Sequence, residues 1–131
     1  GGDVKCIDGV WHYTNKFNIT NTSNVGPFNQ ARDAMFSLRS AIEKEFGKGH
    51  KFTKILSGFL CAFPHISFDK HSVEYEPWQI LDKDSIKNGT EKFFQNLVKQ
   101  FTNKHKNQRW FSEKDSLPDK NDLNSLCDFL R

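Results

Sequence analysis

The segment from Gly26 to Gly47 constrains this chain most, because it is a helix with both ends written in the sequence. Phe28, Ala31, Met35, Leu38, Ile42 and Phe46 recur every three or four residues, which lays one apolar stripe along about five turns. Pro27 suits the first helical position, where its missing N–H is no loss, and Gly47 suits the stop. Gln30, Asp33, Ser37, Ser40 and Lys44 fall on the other face, so the helix is amphipathic and needs a flat surface to lie on. A hairpin ahead of it supplies one. Val4, Cys6 and Ile7 form one arm, Val10, Trp11 and Tyr13 the other, with Asp8-Gly9 between them. Asp-Gly between β-formers marks a tight type I′ turn, which requires positive φ at both central residues.

Phe17 to Thr20 adds a third short strand, and Asn21 to Gly26 has turn composition and is expected as an exposed loop. After the helix, Gly58 to Phe63 is a continuous apolar run closed by Pro64, which suits a central strand covered on both faces. A strand reached by a crossover helix is expected to lie parallel to the strand before that helix. Ser72 to Tyr75 is a further β segment, and Trp78 to Ile86 holds one short helical turn. Thr90 to about Lys106 is a helix with Phe93, Phe94, Leu97, Val98 and Phe101 on its buried stripe. Leu123, Leu126, Cys127 and Leu130 mark a last helix that begins after Pro118. It stops at Arg131 without a cap or a glycine, which reads as a chosen boundary and not a natural terminus. With 131 residues and 13 Phe the chain suits a single α/β domain.

A net charge of +3 leans toward a polyanionic partner. The basic side chains are nevertheless spread from Lys5 to Arg131, as on an ordinary solvated surface, so charge alone does not decide function. Cys6, Cys61 and Cys127 are odd in number and far apart, which argues against a disulfide framework or a zinc knuckle and for neutral thiols in a reducing compartment. No apolar stretch approaches the roughly 18 residues that span a bilayer, and the N-terminus has no signal-peptide core, so a cytoplasmic location without membrane contact is expected. The Asn-x-Ser/Thr matches at Asn18, Asn21 and Asn88 are what an Asn-, Ser- and Thr-rich chain yields by chance.

The chain has no phosphate-binding glycine loop, no Gly-x-Ser-x-Gly, no His-Glu-x-x-His and no EF-hand pattern. Cys61 and His65 can be drawn as a nucleophile pair, but without a third orienting group they read better as a core cysteine beside a loop histidine. His12, His50, His65, His71 and His105 share no metal-ligand spacing. Asp69, Glu74, Glu76, Asp82 and Asp84 form a carboxylate cluster of the kind that can hold Mg²⁺. Asp82 and Asp84 also stand where a helix start wants acceptors, and the capping reading is favoured.

Several stretches in order carry a resemblance: Gly1-Gly2-Asp3-Val4-Lys5-Cys6 through Asp8-Gly9-Val10-Trp11, and Gly26-Pro27-Phe28-Asn29-Gln30-Ala31 with Ala34-Met35. Phe63-Pro64, Glu74-Tyr75 and Ile80-Leu81-Asp82 complete the series. It resembles the nuclease-related domain, NERD, of bacterial proteins, found alone or fused to helicase, kinase or topoisomerase-type modules. The match covers residues 1–86, with Gly-Pro-Phe-x-Gln-Ala its most specific part, and leaves 87–131 as a helical extension packed on the same core.

The resemblance implies a partial restriction-endonuclease-like core of β-hairpin, helix and parallel strand. It further implies DNA as partner and Mg²⁺-dependent phosphodiester hydrolysis in the full-length parent. The family's metal ligands are an Asp on one strand and a Glu-x-Lys on the next, immediately ahead of this hairpin. Both are absent from this sequence, so the chain is expected to hold no metal and to be inactive alone, or to be a non-catalytic binding module. Gln30 is the one family active-site position present, in the first turn of a helix whose free N–H groups suit a phosphate oxygen or a water. It reads equally as a solvated first-turn residue. Lys16, Arg32 and His12 are expected on the same side, facing phosphates. An unpaired strand edge is expected to pair with a second copy, and the C-terminal helices to dock a fused domain if their apolar residues prove exposed.

Overall fold

A computed structural model describes residues 2–131; Gly1, the first residue of the resemblance, lies outside the described residues. The elements, in chain order, are β1 (Asp3–Ile7), β2 (Val10–Thr14), β3 (Thr20–Ser23) and α1 (Pro27–Phe46), then β4 (Cys61–Phe63), β5 (Ile80–Asp82), α2 (Lys83–Asn88), α3 (Thr90–His105), α4 (Glu113–Ser116) and α5 (Lys120–Leu130). Short 3-10 turns occupy Lys51–Lys54 and Pro77–Gln79. The fold is mixed α/β with two sheets: β1-β2-β3 antiparallel, and β4-β5 parallel.

The hairpin forms as its turn chemistry demands. Asp8 and Gly9 adopt φ of 49° and 76°, and Cys6 pairs with Trp11 across them. The third strand is displaced from its expected position. The chain turns at 15–19, where the Asn15 side chain accepts from the N–H groups of Phe17 and Ile19 and Asn18 takes φ 59°. This frees Thr20–Ser23 to pair with β2 in place of the expected loop. Side chains alternate across the sheet, so Val4, Cys6, Trp11 and Tyr13 share the covered face, while Lys5, His12 and Thr22 line up across the other.

Trp11 and Phe28 centre the core, with Cys61, Phe68, Tyr75 and Ile80 around them. Phe28, on the first turn of α1, stacks on Tyr75 at 4.3 Å and meets Trp11 at 5.8 Å. The far end of α1 leaves the sheet: Phe46 packs edge-on against Phe52 of the first 3-10 turn and Phe129 of α5. The helix thus spans two small cores.

Beyond α1 three expectations are corrected. The apolar run contributes only the three residues of β4, and β4 pairs with β5, not with the strand before α1. Residues 72–75 are not a strand, because Ser72 closes a local turn onto the N–H of Glu74 and the Tyr75 hydroxyl donates to the Asp69 carbonyl. The stretch expected as one helical turn instead holds a 3-10 turn, β5 and the start of α2. Among the described residues no helix is long and apolar enough to cross a membrane.

Candidate functional site

The N-terminus of α1 is built on a close approach. A Cβ on Gly26 would overlap Trp11 Nε1, so only glycine lets the indole pack against the backbone that starts the helix. The same indole N–H donates to Glu74 Oε2 at 3.3 Å. Gly26 offers no side-chain cap, Pro27 has no N–H, and the first backbone bond of the helix runs from Gln30 N to Gly26 O at 3.2 Å. The N–H groups of Phe28 and Asn29 are therefore left without intrahelical partners, no carboxylate stands in the first turn, and the Gln30 side chain is exposed. Such an end favours an anion or a polarised water.

The other residues expected beside Gln30 are not gathered there. His12 lies on the sheet face opposite Trp11, in line with Lys5 and Thr22. Lys16 sits on the 15–19 turn with its Nζ 5.0 Å from the Phe17 ring. Arg32 is two residues beyond Gln30, hence about 200° around the helix. It lines a separate hollow with Phe59, Tyr75, Gln79, Phe101 and Lys104. Strand alternation thus sets His12 on the face opposite Trp11, and helical pitch sets Arg32 away from Gln30.

The carboxylate cluster is dispersed by local bonding. Asp69 holds His71 at 2.9 Å, and that contact lowers the Asp69 carboxyl below its usual range. Glu74 serves Trp11, and Glu76 starts the Pro77–Gln79 turn, where Gln79 donates to the Phe59 carbonyl. Asp82 is fully buried and caps α2, as its position in the sequence suggests. Its Oδ1 accepts from Ser85 N at 2.9 Å, the Ser85 hydroxyl at 2.8 Å and Lys70 Nζ at 3.3 Å, and its Oδ2 accepts from Phe68 N at 3.1 Å. Burial pushes this carboxyl up, but the bonds from Ser85, Phe68 and Lys70 together outweigh it and hold the carboxyl below the usual range. No group of three His, Cys, Asp or Glu side chains among the described residues fits a metal ion.

Comparison with protein-family models, curated proteins and solved structures returns no match. The chemistry open to the site rests on its own geometry.

Cys61 is buried and its thiol is pushed up to about 11 by burial, while His65 is exposed, so the pair has the character of a core thiol and a solvated imidazole. All three cysteines are free, and Cys127 lies exposed on α5. A chromogenic disulfide reagent is expected to modify Cys127 promptly in the folded chain. Cys61 should react roughly two orders of magnitude more slowly than an ordinary thiol near pH 8, from its thiolate fraction alone. Equal rates for the two sites by peptide mapping would contradict the burial of Cys61.

Proposed function

We propose that this chain is the hairpin-and-helix part of a nuclease-related, restriction-endonuclease-like domain, in a protein that binds DNA and hydrolyses its phosphodiesters. The observation that carries this reading is the Gly26–Gln30 turn: it follows the hairpin directly, is fixed to it through Trp11, and presents Gln30 to solvent beside unpartnered backbone N–H groups. In such a protein the carboxylates of an Asp and of a Glu-x-Lys outside these residues would hold Mg²⁺, which would supply an activated water, and the lysine would stabilise that water or the developing charge. Gln30 and the helix end would position a phosphate oxygen or that water. Strand connectivity gives further support. Among the described residues β1 is bonded only to β2 and β4 only to β5, and an apolar hollow of about 170 Å³ lies between Val4 of β1 and Ala62–Ile66, where an added strand has edges to pair with. A second copy of the chain using the same edges is the homotypic version of that pairing.

The test is cleavage of supercoiled and single-stranded DNA with Mg²⁺ or Mn²⁺ by this chain and by a version extended with the parent's upstream residues. Activity is expected only in the extended protein, with Gln30→Ala lowering its rate by about 10- to 100-fold, as for other residues that position reacting groups. Cutting by the chain alone, or full activity of extended Gln30→Ala, would overturn this reading.

A docking role is favoured by one specific observation. Leu123 and Leu130 of α5 are 49% and 60% exposed, and the whole chain exposes 9236 Å², against about 7,100 Å² for a compact monomer of its mass. Such open apolar faces suit contact with a fused helicase, kinase or topoisomerase-type module.

A further inference from the structure

One face of α1 is used neither by the Trp11 core nor by Gln30. Arg32, Phe36 and Arg39 follow each other at four and three residues, so they form a single row along the helix. Two hollows open along this row. One, of about 300 Å³, lies between Arg32, Phe59, Phe101 and Lys104, and the other, of about 220 Å³, between Phe36, Arg39, Phe52 and Ser57. The segment 57–59 contributes to both, and its Gly58 is a close approach, since a Cβ there would overlap the Phe101 ring.

Two cations of this groove are placed on aromatic rings. Arg39 lies 4.7 Å from the Trp110 ring centroid and Lys104 5.3 Å from that of Trp78, while Trp78 packs edge-on against Phe101. His105 packs near Trp110 at 5.2 Å. Neither Arg39 nor Lys104 has a carboxylate partner among the described residues, whereas two of the three carboxylates that line the same hollows, Glu43 and Glu74, have partners of their own. Glu43 pairs with Lys48, Glu74 accepts from Trp11, and Glu76 begins the Pro77–Gln79 turn. His105 senses the resulting positive field: burial first, then Arg39 and Lys104, hold its imidazole below the ordinary histidine range. Phe36, between the two arginines, is 55% exposed.

We propose that this groove binds single-stranded nucleic acid, with Arg39 and Lys104 on the phosphates, Arg32 at one end, and a base stacked on Phe36. Arg39 and Lys104, without carboxylate partners among the described residues, match a polyanion, Arg32 is shared with Asp33 at 3.7 Å, and the exposed Phe36 between the two arginines offers the π face that any unpaired base accepts. Hollows of side-chain size admit a base or a sugar, which favours a single strand over a duplex. The surface is separate from Gln30, needs no metal, and does not rest on the nuclease reading.

The test is fluorescence anisotropy of the full chain with a labelled oligothymidylate of about ten nucleotides, within the range of single-strand site sizes, in EDTA. Binding is expected to weaken with salt with a log–log slope of about −2 for three phosphate contacts. The Arg39→Gln/Lys104→Gln double variant should bind at least tenfold more weakly and with a slope shallower by about 1.4. Phe36→Ser should bind at least fivefold more weakly with the slope unchanged. A Lys92→Gln/Lys99→Gln variant, which removes the same charge from exposed positions of α3, should match the parent, and thermal melts identify any variant that fails to fold. The oligonucleotide should also raise the His105 pKa measured by NMR, since phosphate cancels the field of Arg39 and Lys104. Absence of binding, an equal loss in the Lys92/Lys99 control, or equal competition by polyglutamate would overturn the proposal, the last by reassigning the groove to acidic peptides.

Discussion

Trp11→Ala is expected to cost about 3–5 kcal/mol, the usual range for removing a large aromatic side chain from a core. Trp11 has no exposed surface, lies 5.8–6.1 Å from the rings of Phe28, Phe68 and Tyr75, and fills the space that Gly26 leaves at the start of α1. Its removal therefore empties the contact between sheet, helix and the 68–75 loop at once. Set against the roughly 5–15 kcal/mol of a typical domain, such a loss takes a large share of the whole stability. In urea the midpoint should fall by more than about 1 M for a slope in the usual range of about 1–3 kcal/mol/M. Phe17→Ala is the counterpart: that ring is mostly exposed, and its removal should stay within about 0.5 kcal/mol. A Trp11→Ala loss below about 1 kcal/mol would mean that the hairpin and α1 do not share a core. The same substitution also bears on function, because the indole sets where the Gly26–Gln30 turn begins, and a shift there moves Gln30.

The hairpin and α1 are legible in the sequence because single residues decide them. Asp8-Gly9 permits the two positive φ values, Pro27 and Gly47 bound twenty residues of helix, and the observed span is the one those residues mark. The first three strands show where this stops. Thr-Asn-Thr-Ser has the composition of a loop, yet it is a strand, because Asn15 closes a turn with its own side chain and leaves Thr20–Ser23 opposite β2. Likewise, Ile80-Leu81-Asp82 is too short for any periodicity, and only its partner Cys61–Phe63, far back in the chain, makes it a strand. At the candidate site, Gln30 could be singled out because it stands in the first turn of a marked helix. The groove residues Lys104 and Trp110 carry no such signal: Lys104 comes to the hollow beside Arg32, and Trp110 to Arg39, only through the tertiary fold, which no local pattern encodes.

Asp82 is where sequence position and buried environment act on the same atom, and its substitution carries the other large expected effect. Asp82→Ala should cost about 2–4 kcal/mol, because the N–H groups of Phe68 and Ser85 lose their acceptor together with the cap of α2, while Lys70, about a third exposed, turns to water. Asp82→Asn keeps one acceptor oxygen and should cost less, about 1–3 kcal/mol. The two also differ in pH dependence. The Asp82 carboxyl titrates lower in the folded chain than the usual unfolded value near 3.9, so its ionised form is favoured by folding. The stabilisation is complete above that unfolded value and is lost as pH falls through the lower folded value, on the scale of acid denaturation below about pH 5. Urea unfolding at pH 7 and near pH 3 should then show the gap between the parent and Asp82→Asn narrowing in acid. A gap that stays constant would assign the stabilisation to packing at this position and not to the charge that gathers Lys70, Phe68 and Ser85 around it.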